Sequence, residues 1–154
     1  MTNVDKMTNS NWTILFISWL IASISTLGSL FFSEIMNFPP CVLCWYQRIC
    51  LFPLVLILLT GLFPFDKSVV KFALPLTLSG WFIAFYHNLL YSGIIPKIIQ
   101  PCGQGVSCTE DYINLYGIFT IPMLSMMAFS IVLILLFILK KRSSKWKNKI
   151  SSNF

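Results

Sequence analysis

The chain has 154 residues, 56% of them apolar and 10% charged, with a formal net charge of +6. A soluble domain carries about 25% charged residues, so a soluble globular protein is excluded and an integral membrane protein is expected. Lys140, Lys141, Arg142, Lys145, Lys147 and Lys149 alone supply the excess charge; with no aromatic-interleaved basic surface or base-reading motif beside them, nucleic-acid binding is not expected.

The expected fold is all-α, a single domain built as a four-transmembrane-helix bundle. The first apolar stretch, about Trp12 to Phe32, is too long for a signal h-region, has no clear Ala-x-Ala site after it, and reads as span one. A short polar stretch with Glu34, Asn37, Pro39 and Pro40 follows. Span two is expected from about Val42 to Leu62, closed by the turn Phe63-Pro64-Phe65-Asp66-Lys67-Ser68. Span three covers about Val69 to Tyr91, and a loop runs from Ser92 to Asp111. Span four covers about Tyr112 to Leu139, long enough to tilt or to leave the hydrocarbon. Residues 140–154 form a basic tail, expected to fray. Pro53, Pro75 and Pro122 read as kinks inside spans two, three and four. Gly28, Ser29, Ser25 and Ser79-Gly80 are small enough to permit close helix contacts.

A basic tail beside a span holds to the cytoplasmic side and can meet anionic lipid. Four spans then put both termini in the cytoplasm, with Lys67 and Lys71 at the inner turn. The outer loops carry Glu34 in one and Lys97, Glu110 and Asp111 in the other, each netting one negative charge. Arg and Lys are thus biased inward. Cys41, Cys44, Cys102 and Cys108 fall on the outer face, a compartment permissive for disulfides.

Pro39-Pro40-Cys41-Val42-Leu43-Cys44-Trp45-Tyr46-Gln47-Arg48 places a Cys-x-x-Cys pair where span two begins. Unpaired backbone N–H groups at a helix start stabilise a thiolate. Cys44 is expected within reach of that positive end, and Arg48, four residues on, shares its face. The guanidinium would stabilise a thiolate or an anionic electron acceptor. Arg48 could instead snorkel to the headgroups, and the pair could be a static disulfide. Half of a four-thiolate metal site is the remaining alternative, but five residues separate Cys102 from Cys108, against the two to four usual for structural zinc. No metal is expected.

Gln100-Pro101-Cys102-Gly103-Gln104-Gly105-Val106-Ser107-Cys108 carries the second pair, with Gly103 and Gly105 giving a small ring its backbone freedom. It is either a static clip or a pair presented to a soluble partner. The membrane-edge pair is better placed to pass electrons to a lipid-soluble acceptor. Ile94-Ile95-Pro96-Lys97-Ile98-Ile99 could dip into the outer interface or pack on the bundle. Cys50 reads as a small buried hydrophobe. His87, the one histidine, lies toward the outer end of span three, where it meets either a polar ligand head or a neighbouring helix. Trp45, Tyr46, Trp81, Tyr86 and Tyr91 read as interface or packing aromatics, some lining an acceptor pocket, and Trp12 and Trp146 as inner anchors.

Cys41-Val42-Leu43-Cys44-Trp45-Tyr46-Gln47-Arg48, followed by a paired-cysteine loop between spans three and four, resembles the DsbB/BdbC family of bacterial membrane disulfide-bond formation proteins. Gly117-Ile118-Phe119-Thr120-Ile121-Pro122 adds weaker support, and the compact second pair is more similar to the BdbC branch. The resemblance implies a quinone-dependent enzyme that reoxidises an extracytoplasmic thioredoxin-fold oxidase and draws on the respiratory chain through menaquinone or ubiquinone. It implies that Cys102 accepts the partner's thiolate and Cys108 carries the exchange onward. It further implies that Cys41 and Cys44 form the quinone-proximal pair, with Cys44 and Arg48 beside the quinone. His87 is added as a candidate ligand to the quinone from its place in span three. The rivals are a membrane protein whose bridges only clip its outer loops, and a quinone-linked reductase with another donor.

Overall fold

A computed structural model describes the backbone of residues 3–37, 39–94 and 120–151, and the side chains of 9–37, 39–94 and 120–142. Helix α1 spans Asn3–Leu30 and runs into a π-helical turn, Phe31–Ile35. Asn37 then takes a left-handed conformation (φ 53°), which Asn tolerates better than most residues, and Pro39-Pro40 lead into α2, Val42–Leu62. Helix α3 spans Val69–Tyr91 and α4 spans Ile121–Ser151. Four stretches, Asn9–Ile35, Val42–Leu62, Val69–Tyr91 and Ile121–Arg142, are long and apolar enough to cross a membrane, with mean hydropathy between 1.5 and 2.6.

The second and third spans coincide with expectation because strong breakers bound them. Pro39-Pro40 precede α2. After it, Asp66 accepts the Ser68 backbone N–H at 2.8 Å, an Asx turn that leads into α3. The first and fourth spans differ from expectation. Span one is lengthened at its far end by the π turn. The Thr120 carbonyl accepts the N–H groups of Met123 (3.0 Å) and Leu124 (3.1 Å), so α4 starts at Ile121 rather than Tyr112; residues 112–119 lie outside the described residues. Pro122 therefore does not kink a helix interior. It sits in the first turn, where the N–H that proline lacks has no helical partner anyway. The basic tail continues α4 as helix through Ser151 instead of fraying.

Each helix packs on two neighbours, α1 on α2 and α4, α3 on α2 and α4, closing a ring. Lipid tails are as apolar as leucine, so the ring is held by close packing and interhelical hydrogen bonds rather than by escape from water. Leu15, Leu54, Leu58 and Leu136 fill the centre with Ala73 and Ala84. Gly80 lies against Phe129, and a Cβ there would meet the phenyl ring; its absence lets α3 approach α4. Trp81 Nε1 donates to Ser130 Oγ at 2.9 Å, and Asn88 Nδ2 to the Pro122 carbonyl at 2.8 Å, tying the same pair antiparallel. Cys50 is buried in this core, as expected. Ile24, Leu56, Phe72 and Ile134 point outward and are exposed, the pattern of a lipid-facing surface.

Candidate functional site

The site forms where the end of α1, the start of α2, the end of α3 and the start of α4 meet. Cys41 is the N-cap of α2, with an extended backbone (φ −68°, ψ 167°). That conformation turns its side chain back over the first helical turn, and Sγ accepts the Cys44 N–H at 3.3 Å. A sulfur thus takes the place of the usual capping oxygen. Cys44 lies one turn on, its Sγ 2.8 Å from that of Cys41. Cys41, as the N-cap, is the sulfur that meets the free N–H groups of the helix start directly, and Cys44 lies in the same first turn.

From α3, His87 projects into the same place. It is 3% exposed, with Nε2 3.9 Å from Cys41 Sγ and Nδ1 3.3 Å from Gln47 Nε2. If the Gln47 amide N–H donates to Nδ1, the imidazole carries its proton on Nε2, toward the sulfur. Cys41, just before the span, is held below the ordinary thiol value of 9.0 by the hydrogen bond with the Cys44 side chain first, then by His87 and the Cys44 N–H; burial works against them.

Arg48 is buried rather than snorkelled to the headgroups (8% exposed). Its Nε donates to Ser29 Oγ at 2.6 Å, an Nη donates to the Ser29 carbonyl, and the guanidinium lies 5.4 Å from the Trp45 ring centroid. A cation inside the apolar zone is costly and marks a site by default. Here it clamps α2 to α1.

These groups line one cavity of about 400 Å³. Ser25, Gly28 and Ser29 of α1, Cys41 at the start of α2, Cys44, Gln47 and Arg48 within it, His87 and Tyr91 of α3, and Ser125 and Phe129 of α4 form its wall. No acidic residue is among the described residues of that wall, so its fixed charge is positive. Beside Gly28 there is open space, with no atom within 4 Å of where a Cβ would stand. Ile24 and Leu124, also in the wall, are 60% and 51% exposed and form a rim on the bundle's outer surface.

Of the expected site residues, Cys41, Cys44, Arg48 and His87 come together here. Cys102 and Cys108 lie outside the described residues, as do Lys97, Gly117–Phe119 and the Trp146 side chain. Gln47 and Ser29 were missed as site residues. Gln47 was legible as the residue three after Cys44, on its face; Ser29 was noted only as a small residue.

The family model for disulfide bond formation protein DsbB matches residues 10–139. The chain is 46% identical to a probable disulfide formation protein of Metapseudomonas resinovorans over 134 residues, 86% of this chain and 93% of that one. It is 46% identical to disulfide bond formation protein C of Bacillus subtilis over 133 residues, 85% of this chain and 95% of that one. A probable disulfide formation protein C 2 of Bacillus cereus is likewise 46% identical over 129 residues, covering 84% and 92%. No solved structure matches.

Proposed function

The chain belongs to the DsbB family of disulfide bond formation proteins, quinone-dependent thiol–disulfide oxidoreductases, and from that premise we propose that Cys41 and Cys44 are its acceptor-facing redox pair. The convergence of two sulfurs, an imidazole and a guanidinium on one apolar-walled cavity carries this reading. A volume of about 400 Å³ is within the range of small-molecule sites, and a wall that is positive, with no carboxylate among its described residues, suits an acceptor that gains negative charge. Arg48, His87 and Cys44 would hold a quinone there, menaquinone or ubiquinone. Bound so, the quinone supplies the two-electron, two-proton sink that cysteines lack.

The residues divide the work. Oxidising the pair joins the sulfurs and removes two electrons and the one proton left on Cys44, the other having left Cys41 beforehand. The hydrogen bond with the Cys44 side chain first, then the imidazole and the capping N–H, favour the thiolate at Cys41, the form that exchanges disulfides. Cys44, one turn from Arg48, addresses the acceptor. Arg48 offsets negative charge arising in the cavity. His87 stands where it can hold a proton between Gln47 and Cys41.

Electrons enter from Cys102 and Cys108. A reduced extracytoplasmic thioredoxin-fold oxidase attacks their disulfide at Cys102, and Cys108 passes the exchange to the inner pair. Both pairs face outward and both termini lie in the cytoplasm of a bacterial cell, as the inward bias of Lys and Arg supports. Labelling of Cys102 and Cys108 by an impermeant reagent only after permeabilisation would reverse that orientation. Anaerobic mixing of purified protein, a reduced thioredoxin-fold partner and quinone tests the function. Quinol should form with oxidation of the partner and vanish in Cys44→Ser; no quinol from the unaltered protein refutes it.

A further inference from the structure

We propose that the reduced Cys41/Cys44 dithiol and His87 form a three-ligand site for a thiophilic cation of the zinc class, which on binding holds the pair reduced. The two Sγ atoms and one imidazole nitrogen all lie within 4.8 Å of one another. The sequence argued against a metal because the second cysteine pair has the wrong spacing. The third ligand instead comes from α3, 46 positions from Cys41 along the chain.

The geometry needs little adjustment. Zinc takes sulfur at about 2.3 Å and imidazole nitrogen at about 2.0–2.1 Å in a tetrahedron. Those lengths set about 3.7 Å between the sulfurs and about 3.6 Å between sulfur and nitrogen. The sulfurs now stand 2.8 Å apart, Cys41 Sγ is 3.9 Å from Nε2, and Cys44 Sγ is within 4.8 Å of an imidazole nitrogen, so the thiols part by about 0.9 Å and His87 closes by about 1 Å at most. The fourth position opens to the cavity that Cys41, Cys44 and His87 line, as in zinc sites with three protein ligands and one open position.

Charge and protons balance. Each thiol gives up its proton, so at most two protons leave per ion bound. Two thiolates and a divalent cation make a neutral unit, far cheaper to bury than a dithiolate alone. His87 must offer Nε2 without a proton, which moves to Nδ1. Rotating the Gln47 amide by half a turn presents its oxygen to that N–H, the partner that metal-bound histidines ordinarily have. A sulfur whose lone pair is committed to the metal cannot join its neighbour until the ion leaves. The inference uses only the reduced thiols and the imidazole, and holds whether or not the cavity takes a quinone.

Cobalt(II) is the probe, in full-length detergent-solubilised protein with Cys102→Ser and Cys108→Ser to remove the outer thiols. After anaerobic phosphine reduction, titration should give a thiolate-to-cobalt charge-transfer band with tetrahedral visible bands, saturating at one ion per chain and abolished by zinc. The same protein oxidised at Cys41 and Cys44 should give no band, a control that needs no further variant. Gln47→Ala should weaken binding about 10- to 100-fold, the usual loss for a removed outer-shell partner, and His87→Ala by at least as much. Zinc should also protect Cys41 and Cys44 from alkylation. Absence of the band on reduction, its persistence in the oxidised protein, or an undiminished band in His87→Ala overturns the proposal.

Discussion

Replacing Arg48 by methionine separates two jobs that the structure gives one side chain. The guanidinium makes two hydrogen bonds to Ser29, through Nε at 2.6 Å and through an Nη to the carbonyl. Interhelical hydrogen bonds in membranes contribute about 0.6 kcal/mol each on average and up to about 1.7, so losing both costs about 1–3 kcal/mol of stability. The cation also faces a cavity with no acidic residue in its described wall. One charge-assisted contact to an acceptor is worth about 1.5–3 kcal/mol, which is about 10- to 150-fold in kcat/KM for quinone. Ser29→Ala separates the roles. It removes the hydroxyl, leaves the carbonyl contact and keeps the cation, so it should cost stability but less than about 3-fold in kcat/KM. Arg48→Lys should recover only part of the loss, because an ammonium lacks the planar fork that spans hydroxyl and carbonyl. Steady-state quinol formation against quinone concentration, with thermal midpoints measured in the same detergent, reads both quantities. Equal kinetic losses in Arg48→Met and Ser29→Ala, or an unchanged kcat/KM in Arg48→Met, would refute the reasoning and leave Arg48 a helix clamp.

Three other outcomes follow from the same geometry. The Cys41 thiol is held below its ordinary value, so its thiolate persists as pH falls; alkylation of the reduced protein at Cys41, followed by mass spectrometry, should slow less than about 10-fold from pH 8 to 6, where a thiol of pKa about 8.5 slows roughly 75-fold. Gly28→Leu meets no atom near its Cβ and removes a helix-weakening glycine, so the thermal midpoint should hold or rise, while the side chain fills the cavity and raises the quinone KM by about 10-fold or more. Gly80→Ala drives a methyl group into the Phe129 ring and should lower stability by about 1–3 kcal/mol in a denaturation series.

The bundle was legible wherever strong local chemistry bounded it. Pro39-Pro40 and the Phe63–Ser68 turn located both ends of α2 and the start of α3, because proline and an Asx turn act within a few residues. The start of α4 was not legible in the same way. Apolar residues run through the segment before Ile121, so composition alone extends the span back to Tyr112, and Pro122 reads equally well as a kink or a first-turn residue. Cys41, Cys44 and Arg48 were legible as one site because a single helix start arranges them. His87 could be placed only by length along its helix. Its rotation toward Cys41 depends on how α3 packs on its neighbours, the approach at Gly80 and Phe129 among them, and no local rule encodes that. That Cys41 is the residue that caps was not legible for a related reason: the cap is fixed by one backbone dihedral pair, and a spacing of three does not say which sulfur holds it.

The exposed rim at Ile24 and Leu124 has a consequence for how affinity is measured. Ile24 of α1 and Leu124 of α4 are exposed apolar residues of two helices long enough to cross a membrane, so this rim of the cavity is a surface that acyl chains cover. An apolar-tailed ligand therefore partitions into lipid first and finds the site by diffusing in two dimensions. The relevant abundance is molecules per unit of membrane, and acyl chains, present in vast excess, compete for the same rim. In micelles, the half-saturating total ligand concentration should rise in proportion to detergent, the half-saturating mole fraction staying constant. Assays at different detergent loads would then agree on a mole fraction where they disagree on a molarity.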